Sequence, residues 1–275
     1  MTTTLSVSLV VYHPDLPVLR DTMSSLCVAL GHARELGLLD DATITVVDNG
    51  TTDEHALDTL ARDETAAMPW LGLRIVRGQG NVGYGRGHNL AILSSDAAYH
   101  LVLNPDVIIA PDALVEAIRF LSANPDVGLL APDVREPGGE RQYVCRRYPS
   151  VLMLFLRGFA PAPVQRLFRS YMEAHELRPL IGDSVVKGIP TVGGCFMFAR
   201  QTVLRALGGF SPDYFMYFED YDLSVRLARR SSLAFVPSVR IVHHGGGAAR
   251  KGMRHILLFV RGAATFFRTH GWKLA

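Results

Sequence analysis

The sequence predicts an α/β protein built around a mostly parallel sheet, and two observations lead to this fold class. Short apolar segments rich in β-branched residues alternate with segments whose apolar residues recur at helical spacing. Several of the short segments end at a polar turn. Repeated strand–helix units imply parallel strands, because parallel neighbours need a long crossover connection. We therefore expect one sheet flanked by helices, with ligand-binding residues where its strands end.

The alternation is regular as far as residue 131 and irregular beyond it. Strands are predicted at residues 5–12, 43–47, 73–76, 99–103 and 127–131, and helices at 16–31, 55–67, 89–95 and 112–121. The remainder predicts short basic helices within 146–172, a strand opened by Gly193-Gly194, a helix at 203–207, strands at 233–237 and 239–242, and a helix from 250 onwards. We expect a single domain of residues 1–275 with two halves, 1–131 and 132–275.

Composition excludes several classes of protein. The chain has 275 residues and is 48% hydrophobic, enough for one large core. Its net charge of +2 does not predict binding of nucleic acid. Cys27, Cys145 and Cys195 lack the paired spacing of a zinc site or a disulfide framework, which indicates a reducing compartment. No signal peptide is predicted, and no apolar run reaches the ~18 residues of a membrane span.

The segment Phe215–Asp222 joins a largely aromatic run to three carboxylates. A carboxylate at the lip of an apolar pocket is partly desolvated and can act as a general base, and Asp220 suits that position best. The alternative is structural. Acidic residues in a first helical turn are favoured by the helix dipole, and Asp222 can pair with Arg226 four residues on.

Polar residues also follow predicted strands. Asp48 begins a turn after the second strand, and Asp106 lies in the turn after the fourth. Asp106 could hold a divalent cation whose charge would offset a diphosphate. Both aspartates also suit ordinary turns. His243 ends a strand beside glycines and could reach a metal, with His244 as the alternative, although most such histidines only make hydrogen bonds.

A glycine-rich segment supports a competing hypothesis. Gly78, Gly80 and Gly83 fit the dinucleotide-binding pattern, and Asp106 follows at about the 20-residue spacing of a ribose-binding acid. An NAD(P)-dependent oxidoreductase is therefore an alternative. Against it, these glycines follow the third strand rather than the first, and further polar residues continue the segment to Asn89.

Together these motifs resemble a known family. In chain order they are Tyr12, Val47-Asp48-Asn49, residues 81–89, Leu103-Asn104-Pro105-Asp106, Gly193-Gly194, Phe218–Asp222 and His243-His244. This order strongly resembles glycosyltransferase family 2, and more narrowly its bacterial rhamnosyltransferase-like branch, over residues 6–271. The resemblance implies the GT-A fold, in which residues 1–131 would bind a nucleotide sugar and residues 132–275 an acceptor.

The resemblance also implies a role for each matching residue. Asp220 would be the catalytic base, with Glu219 as its neighbour. Asp106 and His243 would bind Mg²⁺ or Mn²⁺ together with the donor diphosphate. Asn104 stands where the family has an acid, which lowers the expected metal affinity. The residues expected to contact the nucleotide sugar are Tyr12, Asp48, Asn81, Gly83, Tyr84, Arg86, Asn89, Asn104 and Gly194.

The resemblance implies an inverting transfer from a nucleoside-diphosphate sugar, with dTDP-rhamnose favoured. The acceptor would be a polyprenyl-diphosphate-linked saccharide or another cell-surface glycan. The basic apolar stretch 146–172 and the basic tail predict peripheral contact with an anionic membrane, here the inner face of the cell membrane from the cytoplasm. A core helix with solvated arginines is the alternative for that stretch. A non-enzymatic membrane scaffold is a second alternative function, because Asn104 replaces an acid.

Overall fold

The computed structural model describes residues 3–245 and 253–275, and its centre is a ten-stranded sheet. The strands are β1 (Thr4–Val11), β2 (Asp41–Asp48), β3 (Leu71–Val76), β4 (Tyr99–Leu103), β5 (Val107–Ile109), β6 (Val127–Arg135), β7 (Arg141–Gln142), β8 (Cys145–Arg146), β9 (Val186–Lys187), β10 (Thr191–Val192), β11 (Phe196–Arg200) and β12 (Ser232–His243). The helices are α1 (Leu16–Glu35), α2 (Glu54–Thr65), α3 (Tyr84–Ile92), α4 (Ala113–Ala123), α5 (Val151–Gly158), α6 (Ala162–Leu167), α7 (Arg169–His175), α8 (Gln201–Ala206), α9 (Glu219–Ala228) and α10 (Met253–His270).

The sheet confirms the predicted α/β class. Its main order is β3-β2-β1-β4-β11-β6-β12-β5, with β7 beside β6 and β9 beside β12. The four strands β3, β2, β1 and β4 are parallel, as are β6 and β12. The antiparallel pairs involve β5, β7, β9 and β11. The short strands β8 and β10 form a separate antiparallel pair.

The predicted helical stripe of α1 packs against this sheet. Leu19, Met23, Leu26 and Leu30 are all fully buried in the main apolar cluster. Burial of each such side chain contributes roughly 1.5–3 kcal/mol. The helix begins after Asp15, whose carboxylate accepts a hydrogen bond from the Val18 N–H at 3.4 Å.

Two predicted boundaries were wrong, and a third cannot be compared. The two strands expected at 233–237 and 239–242 are one strand, β12, whose register is interrupted between Val236 and Arg240, where Pro237 cannot donate to the ladder. Helix α3 begins at Tyr84, earlier than predicted, so the glycine-rich loop is shorter. Helix α10 begins at Met253, and the expected start at residue 250 lies outside the described residues.

Strand register explains why distant residues meet. In the antiparallel pair of β4 and β11, Leu103 lies opposite Phe196, so the Asn104 N–H donates to the Cys195 carbonyl at 2.9 Å. In the antiparallel pair of β5 and β12, His243 lies opposite Val107. The first pairing brings the Gly193-Gly194 turn to the end of β4, and the second brings His243 beside Asp106.

The segment after residue 145 packs differently. Three short helices, α5 to α7, occupy residues 151–175. A separate aromatic cluster joins the segment before α9 to α10; it contains Tyr214, Phe218, Ala263, Phe266 and Phe267. Within the described ranges, no helix is both long enough and apolar enough to cross a membrane.

Candidate functional site

Asp220 lies in the first turn of α9, at the point where the Gly193-Gly194 turn approaches that helix. Its Oδ2 accepts a hydrogen bond from the Gly194 N–H at 3.0 Å, and its Oδ1 accepts one from the Tyr221 N–H at 2.9 Å. The two residues before α9, Tyr217 and Phe218, have φ angles of 69° and 68°. Each such left-handed conformation costs of order 1–3 kcal/mol and persists only where packing enforces it. Strain of this kind is often found beside functional residues.

Burial sets the ionisation of the two acids at this helix end. It raises the pKa of both Glu219 and Asp220, and the charge of Asp220 raises the pKa of Glu219 further. Backbone N–H donors and the positive charge of Arg146 partly offset this rise in the pKa of Asp220. Glu219 is 6% exposed, and its Oε2 has no hydrogen-bond partner in the part of the chain that the structure describes. Asp220 is therefore the acid that ionises more readily, and Glu219 the one that keeps its proton.

Asp106 and His243 form the second part of the site. The Asp106 Oδ1 lies 3.4 Å from the His243 Nε2, and both side chains are partly exposed. Gly245 closes over them: a Cβ at this glycine would lie 2.2 Å from the Asp106 Oδ2 and 3.0 Å from the His243 Nε2. The described residues contain no cluster of three His, Cys, Asp or Glu side chains that could hold a metal. These two residues therefore fit a cation that takes its remaining ligands from a bound diphosphate and water.

Gln142 orients His243 and was not found by sequence reasoning. Its Oε1 lies 3.0 Å from the His243 Nδ1, while its Nε2 lies 3.3 Å from the Gly245 carbonyl oxygen. Because the amide nitrogen donates to that carbonyl, the amide oxygen accepts the proton of Nδ1. The lone pair of Nε2 then faces Asp106. No motif marks Gln142, because only the pairing of β6 with β7 brings it to this place.

Tyr84 connects the two parts of the site. Its hydroxyl donates to the Gly194 carbonyl oxygen at 2.6 Å and lies 3.0 Å from the amide oxygen of Asn104. The Asn104 Nδ2 lies 3.4 Å from the His243 Nε2. The base candidate and the cation candidates are therefore joined by one chain of hydrogen bonds through Gly194, Tyr84 and Asn104.

The loops that follow β2 and β3 complete the candidate site. Asp48 is 6% exposed; its Oδ1 accepts from the backbone N–H groups of Gly50 and Thr51, and its Oδ2 accepts from Arg77 at 3.0 Å. These contacts fit the turn interpretation, so direct contact with a nucleotide stays a prediction. The ring of Tyr12 is 48% exposed beside this turn and is open to stacking.

Comparison with known proteins identifies the family. A sequence model described as "Glycosyltransferase like family 2" matches residues 10–271. The chain belongs to this family and is a glycosyltransferase. The predicted family and enzyme class are confirmed, and the match favours the transferase over the dinucleotide-dependent alternative.

Curated relatives of this glycosyltransferase are rhamnosyltransferases. It is 28% identical over 261 residues to "N-acetylglucosaminyl-diphospho-decaprenol L-rhamnosyltransferase" of Mycobacterium tuberculosis, which covers 89% of this chain and 77% of the relative. It is 25% identical over 224 residues to "Rhamnosyltransferase WbbL" of Escherichia coli, which covers 74% of this chain and 79% of the relative.

A solved structure confirms the GT-A fold of this glycosyltransferase. The mannosyltransferase PcManGT from Pyrobaculum calidifontis, in complex with GDP-Man and Mn²⁺, superposes with a TM-score of 0.62 at 17% identity. The match covers 98% of this chain and 65% of that structure. At this identity the likeness shows the fold alone.

Four residues of the glycosyltransferase that are predicted to bind the nucleotide sugar make contacts with other parts of the protein. The Asn81 Oδ1 accepts the Gly83 N–H at 3.1 Å, and Gly83, with a φ of +89°, packs so closely on the Phe215 carbonyl that a Cβ would clash. Arg86 donates to the carbonyl of residue 212, and the amide of Asn89 bonds both backbone groups of residue 210. The last two side chains therefore join α3 to segment 210–212, and their contact with a nucleotide stays a prediction.

A buried polar network lies under α3 of the glycosyltransferase. The hydroxyl of Ser8 lies 2.7 Å from the His88 Nδ1 and 2.8 Å from the His100 Nε2. Both histidines are fully buried. Burial lowers the pKa of His100 to about 3 and lowers that of His88 well below its ordinary value. The two rings are therefore neutral at pH 7, and they join β1, β4 and α3 by hydrogen bonds.

Proposed function

We propose that this glycosyltransferase moves rhamnose from dTDP-rhamnose to a hydroxyl of a lipid-linked saccharide, with inversion at the anomeric carbon. The observation that carries the proposal is the chain of hydrogen bonds through which Tyr84 connects Asp220 to the Asp106–His243 pair. An inverting transfer needs one base opposite the leaving diphosphate, and the two ends of this chain of contacts would supply those two positions.

Asp220 acts as the base in this proposal. Its Oδ2 or Oδ1 removes the proton of the acceptor hydroxyl as that oxygen forms its bond to the anomeric carbon. The bond between that carbon and the diphosphate oxygen breaks in the same step, and the electron pair leaves with the diphosphate. Direct attack from the face opposite the leaving group gives inversion, as in inverting glycoside hydrolysis where water is the nucleophile. Glu219 stays protonated, so one negative charge rather than two faces the acceptor.

Asp106 and His243 would hold Mg²⁺ or Mn²⁺, and Asn104 would add a neutral oxygen ligand. When bound, the ion would supply positive charge to the leaving diphosphate. Two observations support the fit of these residues to a cation. Gly245 leaves room beside both side chains, and the Gln142 contact leaves the His243 Nε2 unprotonated. Tyr12 and Asp48, with Asn81 and Gly83, would face the base and ribose.

The donor, acceptor and cell location come from the relatives. A rhamnosyltransferase whose name includes a diphospho-decaprenol acceptor supports both the rhamnosyl donor and a polyprenyl-diphosphate-linked acceptor. Such an acceptor lies in a membrane, so we propose peripheral attachment to the inner face of the cell membrane. The exposed apolar side chains of α5 and α6 support this contact.

Nucleotide binding tests the proposal. Thermal unfolding would be measured with thymidine, uridine and guanosine diphosphates and with NAD, each with and without Mn²⁺. We expect thymidine diphosphate to stabilise the protein most, and only when Mn²⁺ is present. Asp106→Asn should abolish the part of the stabilisation that depends on Mn²⁺. Asp126→Asn, which changes an exposed residue directly before β6, should retain it.

Other outcomes would redirect the assignment. Stabilisation by NAD without a response to Mn²⁺ would overturn the transferase mechanism. If guanosine or uridine diphosphate stabilised the protein most, the transferase mechanism would stand but dTDP-rhamnose would not be the donor. Transfer with a purified acceptor, followed by determination of the anomeric configuration of the product, would test inversion independently.

A further inference from the structure

Four cations that act on His175 make no ion pair within 4.0 Å among the described residues, and one of them, Arg146, also acts on Asp220. Arg146, Arg147, Arg157 and Lys273, here named the cationic cluster, all act on the buried His175; burial first, and then their charges, lower the pKa of that histidine to about 4. Among the residues described by the structure, none of the four makes an ion pair with a carboxylate. The nearby carboxylate of Glu176 is bonded to Arg178 at 2.7 Å. The cluster therefore carries positive charge that the described chain does not neutralise.

Arg146 places one end of the cluster next to Asp220. Its Nη1 lies 3.3 Å from the hydroxyl oxygen of Tyr221, the residue after the base. Its Nε is buried and has no hydrogen-bond partner within residues 3–245 and 253–275. A buried guanidinium N–H without an acceptor is costly, and an anion that reaches it recovers that cost.

Arg146 reaches Asp220 by contacts that differ from those of the cation candidates. From Asp220, contacts run through Gly194 and Tyr84 toward Asn104 and His243. The residue after Asp220, Tyr221, contacts Arg146. A ligand anion held at Arg146 would therefore contact other residues than the donor diphosphate does.

Arg157 extends the cluster outward to solvent. Leu154 and Tyr221 both pack against the aromatic cluster, and Arg157 follows Leu154 by one helical turn on the same face of α5. Repulsion from Arg146, the largest cause, and partial burial lower the pKa of Arg157. Two guanidinium groups whose charges act on each other suit a diphosphate, because each can donate a planar pair of N–H groups.

An exposed apolar rim surrounds the outer end. Phe155, Phe159 and Leu167 are 52%, 61% and 82% exposed on α5 and α6. The chain 272–274 lies alongside, because the Val151 N–H donates to the Lys273 carbonyl at 2.9 Å. It adds Trp272 and Leu274, which are 63% and 73% exposed. A free phosphate needs no such rim, whereas a diphosphate attached to a hydrocarbon chain would use both parts.

We infer that Arg146 and Arg157 bind the diphosphate of an isoprenoid-diphosphate acceptor, with its hydrocarbon chain lying across the apolar rim. The inference rests on the proposed function, since it places the acceptor saccharide against Asp220. It names the residues that distinguish a lipid-diphosphate acceptor from a free glycan.

The test measures binding of farnesyl diphosphate by calorimetry, with thymidine diphosphate and Mn²⁺ at saturation so that the donor subsite is filled. We expect Arg157→Gln to weaken binding tenfold or more, and Arg146→Gln to weaken it further. The matched control is Arg230→Gln, which removes an exposed arginine of the same half outside the cluster and should change binding less than twofold. Farnesol should bind at least tenfold more weakly than farnesyl diphosphate to the wild type.

Several results would overturn the inference. Equal binding of farnesol would reduce the site to an apolar surface. If Arg157→Gln bound farnesyl diphosphate as tightly as the wild type, Arg157 would not be part of the site. If Arg157→Gln lost binding to phosphatidylglycerol vesicles while farnesyl diphosphate bound neither protein, the cluster would recognise membrane charge and not the acceptor. In each of these cases Mn²⁺-linked thymidine diphosphate binding would persist, whereas failure of the proposed function would remove that binding itself.

Discussion

The two ends of the proposed active site are positioned by different forces. At the proposed donor end, Asp106 and His243 lie where strand register puts them, next to β5 and β12. At the proposed acceptor end, Asp220 follows two residues in left-handed conformation, and α10 packs against that segment. Backbone pairing sets the first end, and side-chain packing between segments distant in sequence sets the second.

This difference predicts how each end responds to substitution. A hydrogen-bonded ladder moves little when one side chain changes, so variants at the donor end should alter affinity without displacing the base. The acceptor end depends on close contacts such as that of Gly262 with the Tyr217 carbonyl, where a Cβ would lie 2.6 Å from the oxygen. Small changes there should displace Asp220 and reduce turnover.

The largest effect is expected for Asp220→Asn. Removing the general base should lower kcat by about 10²–10⁴-fold, because proton transfer from the acceptor hydroxyl loses its positioned acceptor. Binding of thymidine diphosphate with Mn²⁺ should be unchanged. Steady-state kinetics with the lipid-linked acceptor would measure the loss, with Asp213→Asn, an exposed aspartate of the same segment, as the control. Full activity in Asp220→Asn would remove the base from the mechanism.

Gly262→Ala should show whether packing controls the acceptor end. The added Cβ would press on the carbonyl of Tyr217 and shift the strained segment before the base. A displacement of about 1 Å can cost up to about 100-fold in rate, so we expect a fall in kcat with little change in nucleotide affinity. The control is Gly158→Ala on α5, where a Cβ would meet nothing within 4 Å. Equal kinetics for the two variants would argue against this coupling.

Gln142→Leu should affect only the donor end. Without the amide oxygen at 3.0 Å, the His243 Nδ1 loses the acceptor that fixes its proton. Loss of such an orienting contact lowers metal affinity by about 10- to 100-fold. Titration of Mn²⁺ into the nucleotide-bound protein would measure this change. Nucleotide binding in EDTA is the control and should match the wild type; a decrease there would indicate general damage to the site.

The smallest predicted effect concerns stability at low pH. The folded-state pKa of His100 is about 3, below its ordinary value of 6.5, because burial disfavours the charged ring. The unfolded chain therefore takes up a proton first as the pH falls, so the free energy of unfolding decreases between pH 6.5 and 3. His100→Gln should reduce that slope by up to about 1.4 kcal/mol per pH unit. Denaturant unfolding at several pH values would measure the slope, and the exposed His55→Gln should leave it unchanged.

The sequence predicts the elements of residues 1–131 better than those of residues 132–275, for a physical reason. Short apolar strands and the stripe of α1 are local patterns, so periodicity was enough to place them. Asp106 and Asp220 also lie in recognisable motifs. Gln142 and Arg146 belong to two-residue strands without a local pattern, and only long-range pairing brings them to the site. The same holds for His270, whose Nε2 lies 2.8 Å from the buried carboxylate of Asp222 on the base-bearing helix.

That last contact has a consequence for synthesis of the protein. A nascent chain emerging from the ribosome can pair its four parallel strands once residue 103 is available. The helix that carries Asp220 emerges much later, and its buried partner His270 later still. Until then Asp222 has Arg226 but not the histidine. The Asp106–His243 pair is therefore complete only when residue 243 has emerged, and a correctly seated Asp220 helix must wait longer still, for His270.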